Sequence, residues 1–152
     1  MATVDRQLKQ AMSQSLKLYN AGSAKWFDFL SPDVIVYSIN QSQPYKGLKA
    51  YKERFRPILT RSKRRTKIMS QDVKVLKDSA VVAQTIQVTE AGLIANIRQS
   101  VIWSKTDRWR MKHLHSALIG SLAATKPPSR PSAITVLNER IATTAAVLGV
   151  AQ

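Results

Sequence analysis

The chain predicts an α+β domain in which helices come first and an antiparallel sheet follows. Three observations carry this. Apolar residues recur at helical spacing in stretches as far as Leu59. From Arg65 onward four β-branched and aromatic runs succeed one another. The links between those runs are so short that each strand must turn straight back on its predecessor.

Val4, Leu8, Met12, Leu16 and Tyr19 share one face of a first helix, and Asn20-Ala21-Gly22 supplies its stop. Ser23 caps a short second helix carrying Trp26, Phe27, Phe29 and Leu30. Ser31-Pro32 ends it, because a residue before proline is pushed out of helical backbone. Asp33 to Ile39 contains Val34-Ile35-Val36-Tyr37 and reads as a strand, with Asp33 marking the turn into it after proline. Asn40 to Lys46 reads as a loop. Gly47 to Leu59 returns to helical spacing through Leu48, Tyr51, Phe55 and Ile58, with Pro57 near its end. Lys67–Lys77, Ala80–Thr89, Leu93–Trp103 and Trp109–Ile119 are the meander, broken at Asp78-Ser79, Glu90-Ala91-Gly92 and Ser104–Arg108. The expected organisation is a domain over 1–121, a Pro-containing linker over 122–133 and an appended helix over 134–150. Ile134, Leu137, Ile141, Ala145 and Leu148 form that helix's apolar stripe.

Composition narrows the chemistry. With no cysteine, disulfides, thiolate metal sites and a cysteine nucleophile are all excluded. The N-terminal residues lack the apolar core of a signal peptide, and no run is long enough to span a bilayer, so the expected setting is cytoplasmic. The formal charge is +15. Between Lys46 and Lys67 lie ten Lys or Arg residues and one acid, Glu53, with Arg61, Lys63, Arg64, Arg65 and Lys67 the densest part. Such a run either meets an anionic partner, such as nucleic acid, an acidic protein or a charged small molecule, or is a solvated face.

The stretch from Asn96 to Ser116 is the informative one. Side chains alternate across a strand, and here large apolar groups fall on both faces: Trp103 opposes Ile102, and Trp109 and Met111 oppose Leu114. A strand covered on both sides implies helices against one face and a second body against the other.

Several stretches resemble the nuclear transport factor 2-like superfamily over about residues 4–120. Asn20-Ala21-Gly22, Pro32-Asp33 and Lys46-Gly47-Leu48-Lys49-Ala50-Tyr51 are similar to the SnoaL-like and ketosteroid isomerase-like branches. Trp109-x-x-x-His113-x-His115 resembles the end of the calcium/calmodulin-dependent kinase II association domain. The resemblance implies a cone in which a strongly curved, mainly antiparallel sheet wraps the helices around a pocket. Isomerases, dehydratases, cyclases and non-enzymatic assembly domains share that fold, so the residues must decide.

An isomerase of that type needs an Asp general base and an oxyanion hole of Tyr and protonated Asp. Placed through the same landmarks, this chain offers Ser38, Ser15 and Gln99. A serine without a neighbouring base does not abstract a carbon-bound proton near neutral pH. The pocket walls implied by that placement are Tyr19, Trp26, Ser38, Phe55, Gln99, Val101, Trp103, Lys112 and Leu114, with Lys112 favouring an anionic organic molecule. Trp109, Met111, His113, His115, Arg98 and Ile102 then look outward as an oligomer interface. His113 and His115 share a strand face, but no Asp or Glu is spaced to complete a metal site, so neither metal nor cofactor is expected. Three functions stay open: a homo-oligomeric binding or assembly domain with a ligand pocket, a SnoaL-like small-molecule enzyme, and a basic domain for nucleic acid or an acidic protein.

Overall fold

A computed structural model describes residues 2–38, 41–119 and 123–124 of the chain. The first helix, α1 (Ala2–Ala21), stops at Gly22, whose φ of +68° favours glycine. Space demands glycine as well. A Cβ there would lie 2.7 Å from the Ser62 carbonyl oxygen and 2.9 Å from that of Leu59. Ser23 then caps the next turn, its hydroxyl accepting from the Lys25 amide at 3.3 Å. The short second helix is a 3-10 helix (Ala24–Phe29), and it passes directly into strand β1 (Leu30–Tyr37), which takes Leu30 from it. The strand thus starts three residues earlier than the Pro-Asp signal suggested. Within the expected loop, β2 (Tyr45–Lys46) pairs with β1. Helix α2 (Leu48–Leu59) buries Tyr51, Phe55 and Leu59 on one face, and Pro57 sits in its last turn, where its missing N–H removes one bond of the ladder, to the Glu53 carbonyl.

The meander forms as β3 (Arg65–Val75), β4 (Ser79–Glu90), β5 (Leu93–Lys105) and β6 (Trp109–Leu118). The sheet order is β2-β1-β6-β5-β4-β3. All pairings along it are antiparallel except β1 with β6, so the fold is α+β with a mixed sheet. The parallel pair joins β1 to β6, the final strand of the meander. Two residues of the expected linker form β7 (Ala123–Ala124), which pairs with the start of β5. The rest of the linker and the expected C-terminal helix lie outside the described residues, as do Ile39 and Asn40.

An aromatic cluster fills the space between helices and sheet. Trp26 is the hub, its ring centroid 5.7 Å from Tyr19, 5.4 Å from Phe27 and 5.6 Å from Phe55. Tyr51 stacks on Phe55 at 5.0 Å. At one end of this core Arg64 ties three segments together. Its guanidinium donates to the carbonyls of Tyr19 (2.7 Å), Leu59 (3.0 Å) and Ser62 (2.9 Å), capping the C-terminal ends of both helices. It lies 5.0 Å from the Tyr19 ring and its Nε is 3.7 Å from the buried Glu90 carboxylate, which also accepts from the Ser62 hydroxyl. Arg64 is therefore a core residue and not part of the basic surface to which the run from Arg61 to Lys67 assigned it. Arg61, Lys63, Arg65 and Lys67 are exposed.

Candidate functional site

Between α1 and the helix-facing side of the sheet lies a cavity of about 320 Å³. Helix α1 contributes Lys9, Met12, Ser13, Ser15, Leu16 and Tyr19, the 3-10 helix contributes Trp26, and strands β3 to β6 supply the rest. Of the residues expected in the walls, Tyr19, Trp26, Gln99, Val101, Trp103 and Leu114 line it. Three others do not. Phe55 is buried behind Trp26 in the aromatic cluster. Ser38 is buried just past the end of β1, away from the lining. Lys112 is exposed and faces Asp33, with Nζ 3.6 Å from the carboxylate.

A β-bulge explains Lys112. Along β6, His113 pairs with Ile102 but Met111 pairs with Trp103, leaving Lys112 as the extra residue. The bulge switches the strand's parity, so Trp109 and Met111 on one side of it and Leu114 and Ser116 on the other all turn inward. Trp109 and Met111 are buried, and Met111 lines the cavity, correcting their expected outward placement. With Lys112 outside, the expected preference for an anionic ligand loses its basis. A second bulge works the same way on β3, where Ile68 pairs with Ile86 and Ser70 with Thr85, leaving Met69 as the extra residue. Thr66 and Ile68 before it and Gln71 and Val73 after it all line the cavity.

The polar groups of the cavity are ordered. Gln71, Gln84, Gln99 and Ser116 are successive partners across four strands. Their side chains form a hydrogen-bonded rung: Gln71 donates to Gln84 at 2.8 Å, Gln84 to Gln99 at 2.6 Å, and Gln99 to the Ser116 hydroxyl at 3.1 Å. Tyr19 is 4% exposed, and its hydroxyl has no hydrogen-bond partner among the described residues. Burial pushes that phenol well above its ordinary pKa, so it is a neutral donor. Sequence reading found Gln99 but missed Gln84 and Gln71. The signal was present: Gln84 interrupts the inward stripe Ala80, Val82, Ile86, Val88, as Gln99 interrupts Ala95, Ile97, Val101, Trp103.

Among the described residues, the lining holds no carboxylate and no imidazole. Asp33 lies elsewhere, exposed, and a 2.5 Å hydrogen bond from Ser31, with Lys112 nearby, holds its carboxyl below the usual range. Nor do three His, Cys, Asp or Glu side chains gather anywhere among those residues. No described helix is long and apolar enough to cross a membrane.

On the opposite face of the sheet, the row Val81–Ile102–His113–Ile35 crosses four strands in register. The row Ala83–Ser100–His115–Tyr37 lies beside it. Ile102 and Arg98 are exposed here, His113 is half-buried and His115 exposed. The Tyr37 ring lies 5.5 Å from His113 and 5.6 Å from His115. Burial, and then the neighbouring His115, push the His113 imidazole below its ordinary pKa.

No family model matches the chain, and no curated protein matches it in sequence. Its structure is similar to an NTF2-like protein of unknown function from Pseudomonas putida, with TM-score 0.71 and 11% identity over 84% of this chain and 99% of that one. It is also similar to the CaMKII hub of S. rosetta, with TM-score 0.63 and 18% identity over 75% and 95% of the two chains. A protein from Novosphingobium aromaticivorans, provisionally identified as a scytalone dehydratase, matches with TM-score 0.67 and 13% identity over 85% and 95%. The fold is that of solved proteins described as NTF2-like, and the names of these neighbours include both an enzyme and a hub.

Proposed function

Proceeding from the nuclear transport factor 2-like fold, we propose that this chain is a self-associating binding domain, a cone whose cavity takes a small organic molecule. The cavity lining is the observation that carries this reading. Aromatic and aliphatic walls crossed by a rung of carboxamides hold a guest by burial and hydrogen bonding. They offer it no general base among the described residues. Residues 1–121 form the binding unit. Its outer sheet face, with Val81, Ile102 and Tyr37 each more than a third exposed, is the surface through which two copies pair. The likeness to the CaMKII hub of S. rosetta supports self-association of this fold. Light scattering on the full chain tests this. The wild type is a dimer, Val81→Glu with Ile102→Glu gives a folded monomer, and a chain lacking 123–152 stays dimeric. A monomeric wild type overturns the assembly reading. Loss of the dimer on truncation assigns the face to the C-terminal segment instead.

The exposed cations Lys46, Lys49, Arg54, Arg56, Arg61, Lys63, Arg65 and Lys67 favour a second reading, a polyanion-binding face. Heparin affinity that falls steeply with salt, and is lost when Arg61, Lys63 and Arg65 become Glu, supports it. Arg64 is left unchanged because its removal would test folding. Retention unaltered by those changes leaves the run as a solvated surface.

A further inference from the structure

Both histidines of the chain stand on the outer sheet face. His113 sits in the row Val81–Ile102–His113–Ile35, between two isoleucines on neighbouring strands. Such strands lie about 4.8 Å apart, so a body that covers Ile102 and Ile35 also covers the imidazole between them. His115 stands two residues on, in the row Ala83–Ser100–His115–Tyr37. The Tyr37 ring joins the two imidazoles, 5.5 Å from His113 and 5.6 Å from His115.

The charges that face this pair are mostly positive. β6 adds Lys112 beside His113, β2 adds Lys46 opposite Ile35, and β5 adds Arg98 opposite Ala117. β4 supplies the uncharged Val81, Ala83 and Thr85, while β3 sets Lys74 opposite Val81 and Asp72 opposite Ala83. Two carboxylates share the face, and neither serves an imidazole. Asp33 of β1 is held by Ser31 and Lys112. Asp72 lies three strands away from His115. An imidazolium covered here by a second copy would therefore give up its hydration with no acid placed to receive it among the described residues. Partial burial, and then His115, already push the His113 imidazole below its ordinary pKa.

We infer that pairing of two copies through this face is controlled by protons: neutral His113 and His115 permit the dimer, and their protonation separates it. This rests on the pairing reading above and gives it a regulator. The sign follows from proton linkage. The dimer keeps its imidazoles neutral and the free protomers take up protons, so association is full above about pH 7 and weakens as pH falls through about 6.5. An imidazole that stays neutral in the dimer and has its ordinary pKa in the protomer weakens association about tenfold between about pH 7.5 and about pH 5.5. His113, already lowered, gives less than this.

Sedimentation equilibrium of the full-length protein at about pH 7.5, 6.5 and 5.5, at constant ionic strength, reads the dimer Kd, with circular dichroism at each pH to show the fold. The wild-type Kd should rise at least about tenfold from the highest pH to the lowest. His113→Gln with His115→Gln should stay dimeric with a nearly flat profile. His115→Gln alone changes an exposed side chain, leaves the packed ring in place and should remove part of the rise. A wild-type dimer whose Kd does not change with pH overturns this inference and leaves the pairing face standing. An equal rise in the variants overturns the assignment to these histidines. A wild type that is monomeric at every pH overturns the pairing reading itself.

Discussion

Replacing Arg64 by Met should destabilise the protein far more than replacing Arg61, three positions away in the same basic run. Both arginines approach Glu90: Arg61 at 3.6 Å with its side chain 51% exposed, Arg64 at 3.7 Å with its side chain 0% exposed. Arg61 forms a surface ion pair, worth below about 1 kcal/mol. Arg64→Met deletes donors to three carbonyls and leaves the Glu90 carboxylate, 4% exposed, without its buried partner. Breaking a buried pair from one side costs about 3–5 kcal/mol. For a domain of this size that corresponds to roughly 10–20 °C in Tm, at about 3–4 °C per kcal/mol. Arg64→Lys keeps the charge but loses the planar fork that reaches three carbonyls, and should fall between the two. Urea denaturation at fixed protein concentration measures each, and combining Arg64→Met with Glu90→Gln should recover part of the loss. An Arg64→Met protein within about 1 kcal/mol of Arg61→Ala would refute the argument that Arg64 holds the helix ends.

Three further outcomes follow. Gly22→Ala should cost about 1–3 kcal/mol, because the left-handed φ and two carbonyl oxygens both exclude a methyl group. Gly47→Ala, with a φ of +93° but only the Pro32 carbonyl oxygen near, 3.8 Å away, should cost less, as paired urea titrations will rank them. Since the folded His113 imidazole sits below its ordinary value, the unfolded chain takes up that proton first as pH falls below about 6.5. Stability should therefore be full above that pH and decline from there down towards the lowered folded value. His113→Gln should flatten the decline when urea midpoints at about pH 7.5 and about pH 5.5 are compared. Finally, Lys112→Ala should shift stability by less than about 0.5 kcal/mol in urea denaturation, since Lys112 is turned outward onto an exposed Asp33.

Local pattern was enough to determine the order of the long elements up to β6. The helical spacing through Leu8, Met12, Leu16 and Tyr19, the stop at Gly22, and four strands joined by short links are all statements about neighbours in the chain. Side-chain alternation placed Gln99, Val101 and Trp103 on one face of their strand, and the resemblance made that face the pocket's. The order of Pro32-Asp33, Gly47 and the Trp109 hairpin was enough to suggest the superfamily. What tertiary structure alone decided are matters of register and pairing. The parallel partnership of β1 with β6 joins segments far apart in sequence, and no local propensity specifies it. A single extra residue in β6 reverses the parity of everything before it, which is why Lys112 left the cavity and Met111 entered. The apolar pattern hinted at this reversal, with Trp109 and Met111 at odd positions and Leu114 and Leu118 at even ones, but only the pairing with β5 located the bulge. Arg64 makes the same point about charge. In sequence it is one cation in a basic run. It is buried because two helix ends and Glu90 converge on it, and together they replace the hydration that a lone guanidinium would never give up.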